Sequence, residues 1–355
     1  MTQHPSAEEH LAFLVKLQRL LSEGDFTATY KFALLMALAD VAVERGHDEI
    51  RALEVSMHDL AEKFINYYWQ QTMPYGQARS VDTGILSQTP GAMAKVISDI
   101  RAFRDATGLN AIGRAKPSAE FQKLIVSVAR TVSKQPVTYF HNVAGVSDPF
   151  VYERTPNGVR LKPTVSSHLR KFHGLIQHMA RERWMRHIRN NKKNIPILGQ
   201  QDDLHEFLFE TNRQSLAIVG TNLSKLFNRR CFYCHRPISR TPDIDHFIPF
   251  SLYGRDIAQN FVLAHGECNR SKSDVLAAKQ HVDNWLEHVS RQKDDIKQIA
   301  LDAGLISDEK TMLSVAKWSY QQGQETGAHA WVKKGEFEQI GAGHVGLLDG
   351  CLSPY

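Results

Sequence analysis

The sequence predicts a mainly α-helical protein with a small β component, in which a multi-helical N-terminal domain precedes a smaller domain built around metal ligands. Apolar residues recur at helical spacing through most of residues 1–135. Turn residues and β-branched runs are concentrated between residues 136 and 161. Two closely spaced pairs of metal-binding side chains lie between residues 231 and 268. At 355 residues, the chain is long enough for two or more domains.

The N-terminal helices are predicted from apolar spacing and from their end signals. Residues 8–22 carry leucines at helical spacing, and Gly24 ends that helix. Asp25 is the expected N-cap of a second helix, which Gly46 ends. Because this second helix is apolar on nearly all sides, we expect it to be buried.

A third helix is expected where Ser56 and Asp59 have the spacing of a helix start. Its aromatic residues favour a buried core over a base-stacking platform: Phe64, Tyr67, Tyr68 and Trp69. Further helices are predicted over 92–106 and 117–133. Residues 1–135 therefore form a helical domain without a recognisable chemical pattern, and they are a candidate surface for a protein partner or for self-association.

The next segment, residues 136–200, begins with a change to β periodicity. Strands are predicted at 137–141, at 150–154 and, after a Pro-Asn-Gly turn, at 159–161. A long basic helix is predicted over roughly 166–192. Four histidines lie in it, and we expect them on its surface or beside phosphate groups: His168, His173, His178 and His187.

The formal net charge of +5 comes from this basic helix. Residues 160–193 hold ten Lys or Arg and one acid, whereas the chain before and after them is close to balanced. A solvated helix face would normally pair its bases with acids, so the imbalance favours contact with the phosphates of DNA. The predicted contact residues are Arg181, Arg183, Arg186, Arg189, Lys192 and Lys193.

Composition excludes a membrane protein and favours a reducing compartment. No apolar run is long enough to span a bilayer, and the acidic N-terminus does not have the pattern of a secretory signal. We therefore expect a cytoplasmic location. The chain has four cysteines, of which three are clustered and available for metal, while Cys351 is expected to be an ordinary tail residue.

The clustered cysteines belong to a predicted zinc site. Cys231 and Cys234 form one C-x-x-C pair, and His265 and Cys268 form a second pair of the same spacing, with thirty residues between them. Three cysteines and one histidine are a recognised zinc set. Because four protein ligands close the tetrahedron, the Zn²⁺ is expected to be structural and to contribute to local folding.

Between and after the zinc pairs are residues suited to cutting a phosphodiester. His246 is the natural general base at neutral pH. Asp245 and Asn269 offer oxygen ligands for one Mg²⁺, and the amide of Asn260 is placed to fix the histidine loop. Two basic residues are placed to meet phosphate: Arg270 and Lys272.

Residues 231–274 resemble the HNH (His-Asn-His, ββα-metal finger) endonucleases in the order and spacing of these residues. Their core is similar to the HNH domain of RNA-guided CRISPR effectors, whose final ligand is also an asparagine, like Asn269 here. The resemblance implies His246 as general base, Asp245 and Asn269 as ligands of one catalytic Mg²⁺ or Mn²⁺, and Asn260 as the bracing residue. His265 departs from the cysteine usual in zinc-bearing members.

The resemblance places an HNH domain at 201–290, followed by C-terminal helices and a tail at 291–355. Helices are expected over 274–290, 292–303 and 308–322. The tail beyond Gly327 is predicted to be irregular, so the formal dinucleotide fingerprint that begins at Gly341 lacks the helix and second strand it would need.

The predicted function is metal-dependent cleavage of double-stranded DNA, one strand per engagement of a single site. Residues 60–75 are similar to the front of stand-alone bacterial HNH proteins from restriction and phage defence, which implies such a role. Two alternatives stay open: an RNase, and a zinc-stabilised nucleic-acid-binding module without catalysis.

Overall fold

The computed structural model describes residues 4–24, 26–76, 84–199, 203–211 and 213–350. The chain divides into two compact units. The helical unit comprises Met1–Asn110 and Pro117–Phe209, and the C-terminal unit comprises Ala111–Lys116 and Glu210–Tyr355. Among the described residues, every helix is too short or too polar to cross a membrane.

The helical unit is built on a nearly fully buried helix. In chain order the helices up to residue 209 are α1 (Ala7–Glu23), α2 (Tyr30–Arg45), α3 (Met57–Trp69), α4 (Lys95–Thr107), α5 (Ile112–Ala115), α6 (Ala119–Lys134), α7 (Pro136–Tyr139), α8 (Val165–Lys171), α9 (His173–Asn190), α10 (Ile195–Leu198) and α11 (Leu204–Phe209); α5 belongs to the C-terminal unit. Residues of α2 are buried along almost its whole length, as its apolar sequence predicts. The expected N-cap Asp25 lies outside the described residues.

The aromatic residues of α3 are in the core of this unit, as predicted. Phe64, Tyr68 and Trp69 are buried. The helix starts with a capping box, in which the backbone N–H of Asp59 donates to Ser56 Oγ over 3.1 Å. The burial of these three rings confirms the predicted core position of the aromatic cluster.

The β component of the helical unit is one small sheet and a short ribbon. The strands are β1 (Leu53–Ser56), β2 (Asn142–Val143), β3 (Val146–Ser147), β4 (Tyr152–Thr155) and β5 (Gly158–Leu161), paired antiparallel as β1-β5-β4 and β2-β3. The predicted β4–β5 hairpin is confirmed. The predicted strand at 137–141 is wrong, because Pro136 starts the short helix α7 there.

The predicted basic helix is two helices, α8 and α9, separated at Phe172. Arg170 of α8 is buried and makes two hydrogen bonds, of 2.6 and 3.0 Å, to the carboxylate of Asp48. The surface position expected for the histidines is wrong for His168 and His173, which are buried. The cause is packing, since His168 stacks on the ring of Phe13 with centroids 4.8 Å apart.

The C-terminal unit contains a β-β-α arrangement surrounded by helices. Its further elements are α12 (Arg213–Leu226), β6 (Asp243–His246), β7 (Phe261–Ala264), α13 (Gly266–Lys272), α14 (Lys279–Arg291), α15 (Lys293–Ala303), α16 (Glu309–Glu325), β8 (His329–Lys333), β9 (Glu336–Gln339) and α17 (Ala342–Asp349). Strands β6 and β7 pair antiparallel, with Asp245 opposite Val262 and His246 opposite Phe261. The predicted fold class, mainly helical with a small β component, is confirmed.

The irregular tail predicted beyond Gly327 is wrong, because β8, β9 and α17 follow it. Strand β8 is fixed by Trp331, whose backbone N–H donates to Leu276 O over 2.8 Å and whose indole N–H donates to Ser271 Oγ over 3.0 Å. Because Ser271 lies on α13, this anchor holds the hairpin against that helix. The described β8–β9 sheet is antiparallel, so Gly341 does not begin a dinucleotide-binding βαβ unit.

Helix α5 caps the end of α15 within the C-terminal unit. The side chain of Arg114 donates to the carbonyl oxygens of Leu301 and Asp302 over 2.8 Å each. A Cβ atom on Gly113 would lie 1.8 Å from Leu305 O, so only glycine permits this approach. The α15 carbonyls thereby gain partners that a helix end otherwise lacks.

Candidate functional site

The first part of the site is a knuckle formed by Cys231–Cys234 and its flanking turn. The backbone N–H of Phe232 donates to Leu263 O over 2.8 Å, which joins the knuckle to β7. The backbone N–H of Cys231 donates to Arg236 O over 3.0 Å, and His235 has a φ of 58°, in the left-handed region that a tight turn requires. The two cysteines are thus held on one side of the turn.

The predicted zinc ligands come together in the structure. One ligand atom from each of Cys231, Cys234, His265 and Cys268 lies within 4.8 Å of the other three. His265 Nδ1 is 3.3 Å from Cys234 Sγ, and its Nε2 is 3.1 Å from Pro237 O. A proton on Nε2 therefore leaves Nδ1 to bind metal, the usual arrangement for a histidine ligand held by a carbonyl group. The cluster fits a structural Zn²⁺.

The electrostatics of the three thiols also favour a cation. Burial raises the pKa of Cys268, and the neighbouring Cys231 and Cys234 raise it further, to about 12. Burial opposes ionisation of Cys234 as well, but hydrogen bonds from Arg236 and the other ligands outweigh it and lower the pKa of Cys234 to about 7. Three thiolates cannot share so small a volume without a positive ion to balance them.

The knuckle is linked directly to the predicted catalytic carboxylate. Tyr233 lies between the two knuckle cysteines, and its hydroxyl donates to Asp245 Oδ2 over 2.5 Å. Lys272 Nζ is 3.3 Å from the same oxygen and donates to His246 O over 2.9 Å. Burial lowers the pKa of Lys272, while Asp245 opposes that shift. The sequence predicted that Lys272 contacts phosphate, but Lys272 is buried and connects α13 to the end of β6.

Asn260 is placed to brace the loop that follows His246. Its Oδ1 accepts from the backbone N–H of Ile248 and its Nδ2 donates to Ile248 O, both over 2.8 Å. The backbone N–H of Phe247 also donates to Asn260 O over 2.8 Å. Because Asn260 is fully buried, these bonds are shielded from water, and the loop is fixed at both sides of Ile248.

Asp243 and Asp245 lie on β6, and Asn269 lies on α13 beside Asp243. Alternate residues of a strand share one face, so Asp243 and Asp245 point the same way. Asn269 Nδ2 donates to Asp243 Oδ2 over 3.1 Å. Carboxylate and amide oxygens are the ligands that Mg²⁺ and Mn²⁺ take, so the chemistry of these side chains suits such an ion. Asp243 is a neighbour that the sequence reasoning did not include.

His246 has a polar partner that the sequence reasoning also missed. Its Nε2 lies 2.5 Å from Oδ1 of Asp256, whose side chain is only 7% exposed. Burial raises the pKa of Asp256, but hydrogen bonds from His246 and Thr211 outweigh it and lower the pKa below its usual value. The available signal was an acid ten residues after His246 and four before Asn260.

A groove of about 700 Å³ adjoins the zinc ligands and the outer end of β6. Three arginines line it: Arg236, Arg240 and Arg270. Two acids share it, Asp243 and Glu267. The three guanidinium groups outnumber the two carboxylates, so the side chains that line the groove carry a net positive charge. Arg270, which the sequence predicted to contact phosphate, lines this groove together with two arginines that the sequence reasoning did not single out.

The basic residues predicted for α9 and its end lie in the helical unit. Arg186, Arg189, Lys192 and Lys193 are exposed and Arg183 is half-buried. Arg181, the remaining predicted contact residue, is half-buried. Its guanidinium lies over the ring of Phe209, 5.3 Å from the ring centroid.

Two protein-family models match separate parts of the chain. A family model described as "Domain of unknown function (DUF8808)" matches residues 10–208, more than half of the chain. The chain belongs to the DUF8808 family. A second model, described as "HNH endonuclease", matches residues 231–274 and thus covers the zinc cluster, β6, β7 and α13. No curated protein and no solved structure matches this DUF8808 chain. The HNH segment indicates a metal-dependent nuclease acting on nucleic acid.

Proposed function

We propose that this DUF8808 protein is an endonuclease that hydrolyses phosphodiesters of double-stranded DNA and nicks one strand at each engagement. The arrangement around Lys272 carries the proposal. Its ammonium group bonds both the carboxylate of Asp245 and the carbonyl of His246, and so brings the strand with the base and metal ligand against the helix with Asn269. A general base, a metal ligand and a cation that balances its charge, held on adjoining elements, support hydrolysis of a phosphodiester.

In this proposal His246 takes a proton from a water molecule as the water oxygen attacks phosphorus. The P–O3′ bond breaks, leaving a 5′-phosphate, and the departing oxygen gains a proton from solvent to give a 3′-hydroxyl. Mg²⁺ or Mn²⁺ held by Asp245 and Asn269 would supply positive charge for the phosphate and the departing oxygen. Asn260 keeps His246 in place by fixing its loop, and the buried Lys272 balances the charge of Asp245.

The substrate strand is proposed to lie along the arginine groove, whose wall includes Asp243, two residues before Asp245 on β6. Two residues of a strand span about 7 Å, so a phosphate held by Arg236, Arg240 or Arg270 lies within a few nucleotides of the cut. The exposed bases of α9 are proposed to add sequence-independent contacts to DNA phosphates. Reversing Arg183, Arg186 and Arg189 to Glu should weaken DNA binding and flatten its dependence on salt.

The direct test is nicking of supercoiled plasmid by purified protein with Mg²⁺ or Mn²⁺. His246→Ala should slow nicking by about 10²- to 10⁴-fold, the range that a general base contributes, and leave the zinc content intact. The matched control is His329→Ala, which removes an exposed histidine from β8 in the same unit and should leave nicking unchanged. Cutting at the wild-type rate in His246→Ala would contradict the proposal, and parallel assays on single-stranded DNA and RNA decide the substrate.

The biological part of the proposal is restriction of foreign DNA, which rests on the resemblance of residues 60–75 to stand-alone HNH proteins of phage defence. Bacterial cells that express the wild-type chain should show fewer phage plaques than cells that express His246→Ala. Equal plaque counts across a panel of phages would contradict this role without touching the nuclease assignment.

A further inference from the structure

We propose that Asp256 is a positioning residue that fixes the orientation and tautomer of His246, and that Thr211 holds Asp256 in place. This inference rests on the proposed function, because it assigns the group that prepares the general base. It adds a residue between His246 and Asn260 to the working site, and it connects that site to the segment where the chain enters the C-terminal unit.

The first step is the surroundings of the imidazole. Two aromatic rings lie against it, Phe250 and Phe261, with centroids at 5.3 and 4.9 Å. Asn260 fixes the loop backbone, and Lys272 bonds the backbone carbonyl of His246. Among the described residues, the hydrogen-bond partner of the ring itself is Asp256, with Nε2 and Oδ1 2.5 Å apart. The rings restrict the tilt of the imidazole, and the carboxylate sets its rotation.

The second step is protonation. A carboxylate accepts hydrogen bonds and does not donate them, so a bond to ionised Asp256 requires the proton on Nε2. The lone pair is then on Nδ1, and that nitrogen takes the proton from water. Asp256 stays ionised because its hydrogen bonds from His246 and Thr211 outweigh the effect of burial on its pKa. A carboxylate that holds the base in one tautomer is a general device of acid–base catalysis.

The third step is the anchor. Thr211 bonds Asp256 through both its side chain and its backbone. Thr211 comes two residues after Phe209, where the helical unit ends, and three after residue 208, where the DUF8808 match ends. The carboxylate that orients His246 is therefore held by the first residues of the C-terminal unit that follow the DUF8808 region.

The experiment compares Asp256→Asn, Thr211→Val and the control Asp283→Asn, which removes an exposed acid of α14 in the same unit. Single-turnover cleavage and the Kd for DNA are measured separately. Asp256→Asn should slow single-turnover cleavage about 100-fold with Kd within about two-fold of wild type, because the amide can no longer enforce the tautomer. Thr211→Val, which keeps the carboxylate, should slow it about 3- to 10-fold. Asp283→Asn should match wild type.

A double-mutant test separates positioning from general damage. Adding Asp256→Asn to His246→Ala should cost nothing further if Asp256 acts through the histidine. An equal loss in both backgrounds, or a wild-type rate in Asp256→Asn, would overturn the inference. A higher Mg²⁺ concentration for half-maximal rate in Asp256→Asn would instead make Asp256 a metal ligand and would also overturn it.

If Asp256→Asn does not fold, Thr211→Val and its pairing with His246→Ala decide the question. A wild-type chain that never cuts refutes the proposed function, whereas a wild-type rate in Asp256→Asn refutes only this inference.

Discussion

The helical unit and the C-terminal unit both bury charged side chains, but they do so in different ways. In the helical unit, both members of the Lys63–Glu44 pair are shielded, with side chains 9% and 8% exposed. Asp40 is equally enclosed and bonds Tyr67, His173 and Gln177. In the C-terminal unit the buried Asp256 bonds His246, whose side chain is 22% exposed. The shielded Lys63–Glu44 pair supports the fold, whereas His246 is partly exposed and can reach a substrate.

Loss of zinc should produce the largest difference in stability between the two units. Cys231→Ser with Cys234→Ser removes two ligands of the cluster, and structural zinc contributes on the order of 10 kcal/mol to the folding of small domains. We expect the C-terminal unit to unfold while the helical unit stays folded, as measured by hydrogen exchange of peptides from each unit. Cys351→Ser, the matched control, should retain zinc and activity. Protection of residues 231–274 in the double variant would contradict this prediction.

The zinc site illustrates what sequence can predict. Ligand spacing within 231–268 indicated the cluster because ligands of one ion must be close, and the order of Asp245, His246 and Asn269 indicated the ββα site. The bonds of Tyr233 and Asp256 to that site were not predictable, since each joins residues ten or more positions apart and leaves no periodic pattern.

The fold shows the same division between local and distant information. The buried helix α2 and the β4–β5 hairpin follow from local patterns. Strand β1 pairs with β5 across about a hundred residues, with Val55 opposite Val159, and four residues give no period to detect. The tail was misjudged because Trp331, which fixes β8, finds its partners on α13 and beyond.

Acid should weaken the helical unit through its buried histidines. Burial lowers the pKa of His141 to about 4, and its Nε2 accepts from the backbone N–H of Val151 over 3.3 Å. The unfolded chain has the higher pKa, near 6.5, so it binds the proton first and stability falls as the pH drops from 6.5 to 4. The expected loss is on the order of 2–3 kcal/mol for this one group.

Denaturant unfolding of the helical unit, followed by exchange of its peptides at pH 7 and pH 4.5, measures that loss. His141→Gln keeps an acceptor but cannot titrate, so its stability should depend less on pH. His178→Gln changes an exposed histidine of α9 and should keep the wild-type slope. The same slope in His141→Gln and wild type would show that this histidine does not carry the effect.

Breaking the enclosed pair of the helical unit should cost stability and spare the chemistry. Glu44→Gln removes the carboxylate that faces Lys63, and disrupting a buried pair costs about 3–5 kcal/mol. Glu54→Gln is the matched control, because Glu54 pairs with Arg160 where both side chains are more than half exposed. Water screens that exposed pair, so its loss should change stability little. Nicking per folded molecule should equal wild type in both variants, and a slower rate in Glu44→Gln alone would mean that the enclosed network reaches the site.

Tyr233→Phe should give the reverse result, a small loss of stability with a clear loss of activity. The substitution removes one hydroxyl, which donates to Asp245 Oδ2 over 2.5 Å, and keeps the ring packed in the core. A hydrogen bond to a charged group contributes about 1.5–3 kcal/mol, but Lys272 still faces the same oxygen, so the unfolding free energy should fall by only about 1 kcal/mol.

Zinc content should not change, because the cysteines on either side are intact. The single-turnover rate should fall about 10-fold as the carboxylate loses its fixed orientation. Tyr253→Phe, a buried tyrosine of the same unit, serves as the comparison. An unchanged rate in Tyr233→Phe would mean that the knuckle supports the fold alone and that its link to Asp245 has no part in the chemistry.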